Sequence, residues 1–152
     1  MSREMYKRDR RLLGALLRVP SQAIVREIHK AALAAGYTDL RKAHLVVFQY
    51  IERAGSRATE LAERANMTKQ SMGYLIDYLE ERGYVERTPD AVDGRVKIIR
   101  LTERGWGVML VAREAMEAIE ADWGQYLGAD RMDELIHLLQ DLVVMLGEPI
   151  DF

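Results

Sequence analysis

The chain has 152 residues, 49% of them hydrophobic and 30% charged, with no cysteine and a formal net charge of −2. That is the size of one compact domain, or of one domain carrying an oligomerisation element, and it is long enough to bury a core. The missing cysteines exclude disulfides, zinc–thiolate sites, thiol catalysis and thiol redox sensing.

No run of about 18 uncharged apolar residues offers a membrane span. The charged start MSREMYKRDRR lacks the apolar centre of an export signal. A soluble cytoplasmic protein with no membrane partner is expected. The net charge also hides a gradient: residues 1–56 sum to +6, residues 57–100 to zero and residues 101–152 to −8. A polyanion would meet local basic groups, not a basic body.

The first long segment, from about Arg8 to Gly36, carries Leu13, Leu16, Leu17, Ile24, Ile28, Ala31, Ala32 and Ala35 at helical spacing. Pro20 either kinks this helix or starts a second. A further helix is expected over roughly Leu40 to Arg53, ended by Ala54-Gly55-Ser56. Thr59 can cap a short helix over Glu60–Ala65. After the turn Asn66-Met67, Thr68 can cap a helix running through Arg82. On it Met72, Leu75, Ile76 and Leu79 form one apolar stripe, and Gly83 stops it. Two helices joined by so short a turn make a helix-turn-helix pattern.

Tyr84–Thr88 reads as a strand, Pro89–Gly94 as a turn, and Val96–Leu101 as the return strand. Thr102 caps a long helix reaching about Leu127, with Glu103 in its first turn. A last helix runs from about Asp130 to Leu146. The fold class is therefore mainly α with a small β-hairpin, a winged helix-turn-helix flanked by N- and C-terminal dimerisation helices. The division expected is 1–36 with 103–152 as the helical dimerisation region, and 37–102 as the winged helix.

The face of the 68–82 helix opposite its apolar stripe carries Gln70, Gly73, Tyr74 and Asp77, with Lys69 and Ser71 beside them. Hydrogen-bonding groups at that end suit entry into a DNA major groove. Gln70 can pair with adenine, Tyr74 can touch a thymine methyl or a phosphate, and the Thr68 and Ser71 hydroxyls can hold phosphate. The hairpin tip holds Asp93-Gly94-Arg95, with Lys97 two residues on. An arginine on a narrow turn fits an AT-rich minor groove, and Asp93 can pair with its guanidinium and aim it.

The run LAERANMTKQSMGYLIDYLEERGYVER, followed after a gap by DGRVKIIRLTERG, resembles the multiple antibiotic resistance regulator (MarR) family of transcription factors. Asp93-x-Arg95 and Leu101-Thr102-x-x-Gly105 carry the likeness most strongly. The resemblance implies a homodimeric winged-helix regulator, usually a repressor, often released from DNA by a small ligand. It implies DNA contacts from Thr68, Lys69, Gln70, Ser71 and Tyr74, and a minor-groove Arg95 oriented by Asp93. The chain departs from the family pattern at Tyr74 and Tyr78, where a basic residue is frequent, and at Gly73, where a small hydroxyl is usual.

The last helix is apolar on more than one face, with Leu135, Leu138, Leu139, Leu142 and Leu146. The first carries Leu12, Leu13, Leu16 and Leu17. Both suit an intertwined homodimer, and a two-fold dimer would read a pseudo-palindrome of double-stranded DNA, its half-sites about 34–36 Å apart. Arg18, Tyr37 and His44 are the foremost candidates to line an effector pocket for a phenolic or anionic small molecule, with His29, Tyr50 and Trp106 behind them. No cofactor or metal is expected. No phosphate loop, nucleophile elbow or ligand cluster marks an enzyme. The alternative is a winged-helix module that binds protein instead of DNA.

Overall fold

In the computed structural model, which describes residues 12–147, the leucines and alanines of the first segment form one continuous helix. This α1, Leu12–Ala34, runs through Pro20 without a second start. The part of the expected helix before residue 12 lies outside the described residues. After a loop carrying Asp39, a single 3₁₀ turn, Lys42–His44, leads into α2, Leu45–Tyr50. That helix stops three residues before the expected Arg53, because Ile51 turns extended at ψ 130°.

Ser56–Arg57 forms a short strand, β1, where the sequence predicts only a helix end at Ala54-Gly55-Ser56. It pairs antiparallel with the later strand β3, Lys97–Leu101, placing Ser56 opposite Ile99. Gly55 is what lets the chain come so close. It sits at φ +97°, and a Cβ there would lie 2.5 Å from Ile98 Cγ2 and 2.8 Å from the Ile99 carbonyl oxygen.

The helix α3, Ala58–Arg64, starts earlier than expected. Its N-cap is Arg57, not Thr59: Glu60 reaches back to accept the Arg57 backbone N–H at 2.9 Å. Asn66 turns the chain at φ 51°. The next helix, α4, Lys69–Glu81, is capped by Thr68, whose hydroxyl oxygen accepts the Ser71 N–H at 3.1 Å.

Strand β2, Val85–Pro89, completes a three-stranded sheet of order β1-β3-β2, with Val85 opposite Leu101 and Pro89 opposite Lys97. Pro89 is tolerated because β2 is an edge strand. Helices α5, Glu103–Leu127, and α6, Ala129–Leu146, finish the described chain.

The core lies in the winged lobe. Met72, Ile76 and Leu79 of α4 are fully buried with Leu61, Val47, Tyr84 and Ile99, and Val108 brings α5 into the same cluster. The strand-to-α5 corner explains the spacing Leu101-Thr102-x-x-Gly105. The Thr102 N–H donates to the Tyr84 carbonyl at 3.1 Å, and its oxygen accepts the Gly105 N–H at 3.2 Å. A Cβ on Gly105 would stand 2.2 Å from the same Tyr84 carbonyl.

The terminal helices are different. On α6 only Met132 is buried, while Leu138 is 56% exposed and Leu139, Leu142 and Leu146 are also open. On α1 Leu13 is 63% exposed, with Leu16 and Leu17 beside it. Both helices pack on α5, and among the described residues neither has these leucines covered. No helix among the described residues is long and apolar enough to cross a membrane.

Candidate nucleic-acid interface

Because Met72, Ile76 and Leu79 hold one side of α4 in the core, its first turns are forced outward. Thr68, Lys69, Gln70 and Ser71 are exposed, and Tyr74 is 65% exposed. The end is partly organised. Gln70 Nε2 donates to the Tyr74 hydroxyl at 3.1 Å, and the Thr68 hydroxyl donates to Ser71 Oγ at 2.9 Å. A hydrogen-bonding amide, a phenol and a lysine thus share one helix end with its free N–H groups, an arrangement suited to anions and base edges.

The wing tip is equally open at Asp93, Arg95 and Lys97. Asp93 does not hold the Arg95 guanidinium, as the sequence suggested. Its Oδ1 accepts the Arg95 backbone N–H at 3.1 Å, which tightens the turn. The guanidinium has no carboxylate partner among the described residues. A second brace escaped the sequence reading. Asp90 accepts the Val92 N–H at 3.2 Å and pairs with Arg57 of β1 at 3.1 Å. These bonds hold its carboxyl below the usual range, the backbone bond contributing most.

Arg87, on β2, joins wing to helix. Its guanidinium donates to Asp77 and to Glu80 of α4, and its own N–H donates to Glu80 Oε1 at 3.1 Å.

On the other side of the lobe, Asp39 gathers four residues. Its carboxylate accepts the Tyr84 hydroxyl, pairs with Arg104 of α5 at 3.2 Å and lies 3.8 Å from Arg82. Its carbonyl accepts the Tyr78 hydroxyl at 2.7 Å. Burial raises the Asp39 pKa, but Tyr84, Arg104 and Arg82 more than offset this and hold the carboxyl low. Burial, then the bond to Asp39, pushes the Tyr84 phenol well up, so it stays a donor.

None of the three foremost effector candidates lines the groove beside α4. Arg18 is exposed on α1. Tyr37 is half-buried, its ring 6.1 Å from that of Tyr84. His44 is buried and stacked 4.1 Å from the Tyr78 ring, with Nδ1 accepting the Arg41 N–H at 3.0 Å. That groove, of about 520 Å³, is floored by Val25, Leu45, Val46 and Leu75 and edged by Lys42 and Tyr74. No group of three or more metal-ligating side chains occurs among the described residues.

Residues 36–96, the loop after α1 through the wing turn, match the model of the MarR family. Over that segment the chain is similar to the MarR family. Transcriptional regulator HosA of Escherichia coli O157:H7 is 25% identical over 116 residues, covering 76% of this chain and 86% of that protein. Among solved structures, CouR from Rhodococcus jostii RHA1 bound to p-coumaroyl-CoA is similar at TM-score 0.67 and 24% identity, covering 92% of this chain and 94% of that one. The transcriptional repressor CouR on a 23-mer DNA duplex is similar at TM-score 0.63 and 22% identity, covering 86% and 92%. These two likenesses establish the fold alone.

Proposed function

We propose that this chain is a transcriptional regulator of the MarR family, a cytoplasmic homodimeric repressor that binds a pseudo-palindromic operator. In this reading the N-terminal turns of α4 enter the major groove, with Thr68, Lys69, Gln70, Ser71 and Tyr74 as contacts. The turn at residues 89–97 follows the minor groove, with Arg95 inserted, Asp93 shaping the turn and Lys97 on phosphate. One observation carries the reading: the Arg95 guanidinium is committed to no carboxylate among the described residues, while the exposed end of α4 carries the hydrogen-bonding set that base edges require.

The division into a dimerisation region, residues 1–36 with 103–152, and a winged helix, residues 37–102, belongs to the same proposal. The open leucines of α1 and α6 support it, since so much apolar surface on terminal helices calls for a cover. The groove beside α4 supports ligand response. Its volume suits a small organic molecule, and Lys42 at its edge favours an acidic or phenolic one. The relative bound to p-coumaroyl-CoA favours the same reading.

A mobility-shift titration of the purified protein on the DNA upstream of its own gene, across salt, tests it. Specific binding that weakens steeply with salt is expected. Binding that is absent, or indifferent to sequence, overturns it in favour of a protein-binding winged helix.

A further inference from the structure

The reading end of α4 is followed by two carboxylates. Asp77 lies three residues beyond Tyr74 and shares its face, and Glu80 follows one turn later. Arg87 reaches both from the neighbouring strand. One guanidinium nitrogen donates to Asp77, the other to Glu80, and the Arg87 backbone N–H adds a third bond, to Glu80 at 3.1 Å. Its side chain is only 28% exposed, so most of its donor capacity is turned inward. The planar fork of arginine suits two acceptors at once; the single ammonium of lysine does not.

The consequence is geometric. Strand β2 is paired along its length with β3, and the turn bearing Arg95 joins the two. Whatever fixes β2 against α4 therefore fixes the separation between the helix and the wing tip. At its far end the wing is held by Arg57 and Asp90; at its base it is held by Arg87.

We propose that Arg87 is a positioning residue for DNA binding: without touching DNA, it locks the wing to α4 so that Arg95 and the helix engage one duplex together. This rests on the DNA-binding reading above.

A double-mutant cycle tests it. The protein is titrated against a duplex selected by the wild type from genomic fragments, using fluorescence anisotropy at several salt concentrations. Arg87→Ala is expected to weaken binding about 10-fold, comparable with the loss of one good contact. Since Arg87 acts through Arg95, the Arg87→Ala/Arg95→Ala pair should bind about as weakly as Arg95→Ala alone. Independent effects would instead multiply to about 100-fold. The salt dependence of Arg87→Ala should match that of Arg95→Ala, because both lose the same cationic contact, and the double variant should show no further change in slope.

If Arg87→Ala does not fold, Arg87→Lys replaces it, with a smaller loss and the same non-additivity. Multiplying effects, a further drop in slope in the double variant or wild-type affinity in Arg87→Ala each overturn the inference while leaving the DNA-binding reading intact. Failure of the wild type to select any duplex overturns both.

Discussion

Tyr84 donates its hydroxyl hydrogen to the carboxylate of Asp39, a residue 45 positions earlier in the chain. That bond sits where three parts of the molecule meet. Tyr84 lies between α4 and β2, Arg104 belongs to α5, and Asp39 lies in the loop leaving α1. The Arg104 guanidinium also stands 4.1 Å over the Tyr84 ring. Asp39 therefore joins the winged lobe to the long helix that leads to the terminal leucines.

Removing it leaves Tyr84 without its acceptor and Arg104 without its counter-charge. Asp39→Ala is expected to cost about 2 kcal/mol, in the range for hydrogen bonds to charged groups. Asp39→Asn should cost less, because it retains an acceptor for Tyr84 and the lost pairs with Arg104 and Arg82 are partly screened by solvent. Urea unfolding of the three proteins checks both values; equal stability would remove Asp39 from this role.

The pH response should expose a second buried group. Burial, followed by the charges of Arg41 and Arg82, lowers the His44 pKa; the Asp39 carboxylate opposes this and His29 adds to it. The folded protein thus keeps His44 neutral, consistent with Nδ1 accepting the Arg41 N–H. As pH falls through the ordinary imidazole value of about 6.5, the unfolded chain takes up a proton that the folded chain refuses. Stability must fall through that window and level off below the folded pKa. Asp39, whose pKa is also lowered, adds its own loss only at more acid pH, once pH passes below the ordinary carboxylate value. His44→Asn offers an acceptor without titrating. Urea midpoints at about pH 7.5 and about pH 5.5 should converge in that variant and diverge in the wild type.

Gly105 tests the corner between sheet and α5. A methyl group there would stand 2.2 Å from the Tyr84 carbonyl oxygen, a backbone atom already engaged by Thr102. Neither partner can step aside cheaply. Gly105→Ala should therefore destabilise by about 2 kcal/mol, despite the better helix propensity of alanine. Thermal unfolding reads this, and a variant as stable as the wild type would mean that the corner is looser than drawn.

The helices of the winged lobe were legible because their signals are local. Thr68 and Thr102 cap as their sequences suggest, and the stripe Met72, Ile76, Leu79 is buried as its spacing requires. What escaped depends on distant partners. Ser56–Arg57 is too short to show a strand period and is one only because β3 lies beside it. Thr59 has the hydroxyl of a cap, but Glu60 reaches back to Arg57 and the helix starts there. Asp93 and Arg95 were expected to meet as charges, yet the carboxylate bonds the backbone instead. Asp39 and Arg87 carry no motif, since their partners lie up to 65 and 10 residues away.

The leucines of α6 give a test of assembly that does not depend on DNA. Leu138 and Leu142 are open in the single chain, so charging them should leave its fold intact. Leu138→Glu/Leu142→Glu is therefore expected to keep its helical circular dichroism while shifting from dimer to monomer in sedimentation. Each glutamate would enter an apolar contact without a partner, at a cost of several kcal/mol. A wild type that sediments as a monomer, or a variant that stays dimeric, would contradict the interface.

Arg95 and Gln70 should fail in different ways, and the contrast is the sharpest check on the interface. Arg95 sits on an exposed turn with its guanidinium unpaired among the described residues, so its expected contribution is charge placed in a narrow groove. Arg95→Ala should lower affinity about 10-fold or more, for about 1–3 kcal/mol per good contact, and leave the dimer unchanged. Gln70 already holds the Tyr74 hydroxyl, which fixes the plane of its amide before any duplex arrives. Such an amide discriminates between bases more than it attracts DNA. Gln70→Ala should change which duplexes are selected while total affinity for mixed sequence stays near the wild type. Selection from a randomised duplex pool, followed by titration of the winners, separates the outcomes. A uniform loss across sequences for Gln70→Ala would remove it from base reading, and unchanged binding by Arg95→Ala would remove the wing from the complex.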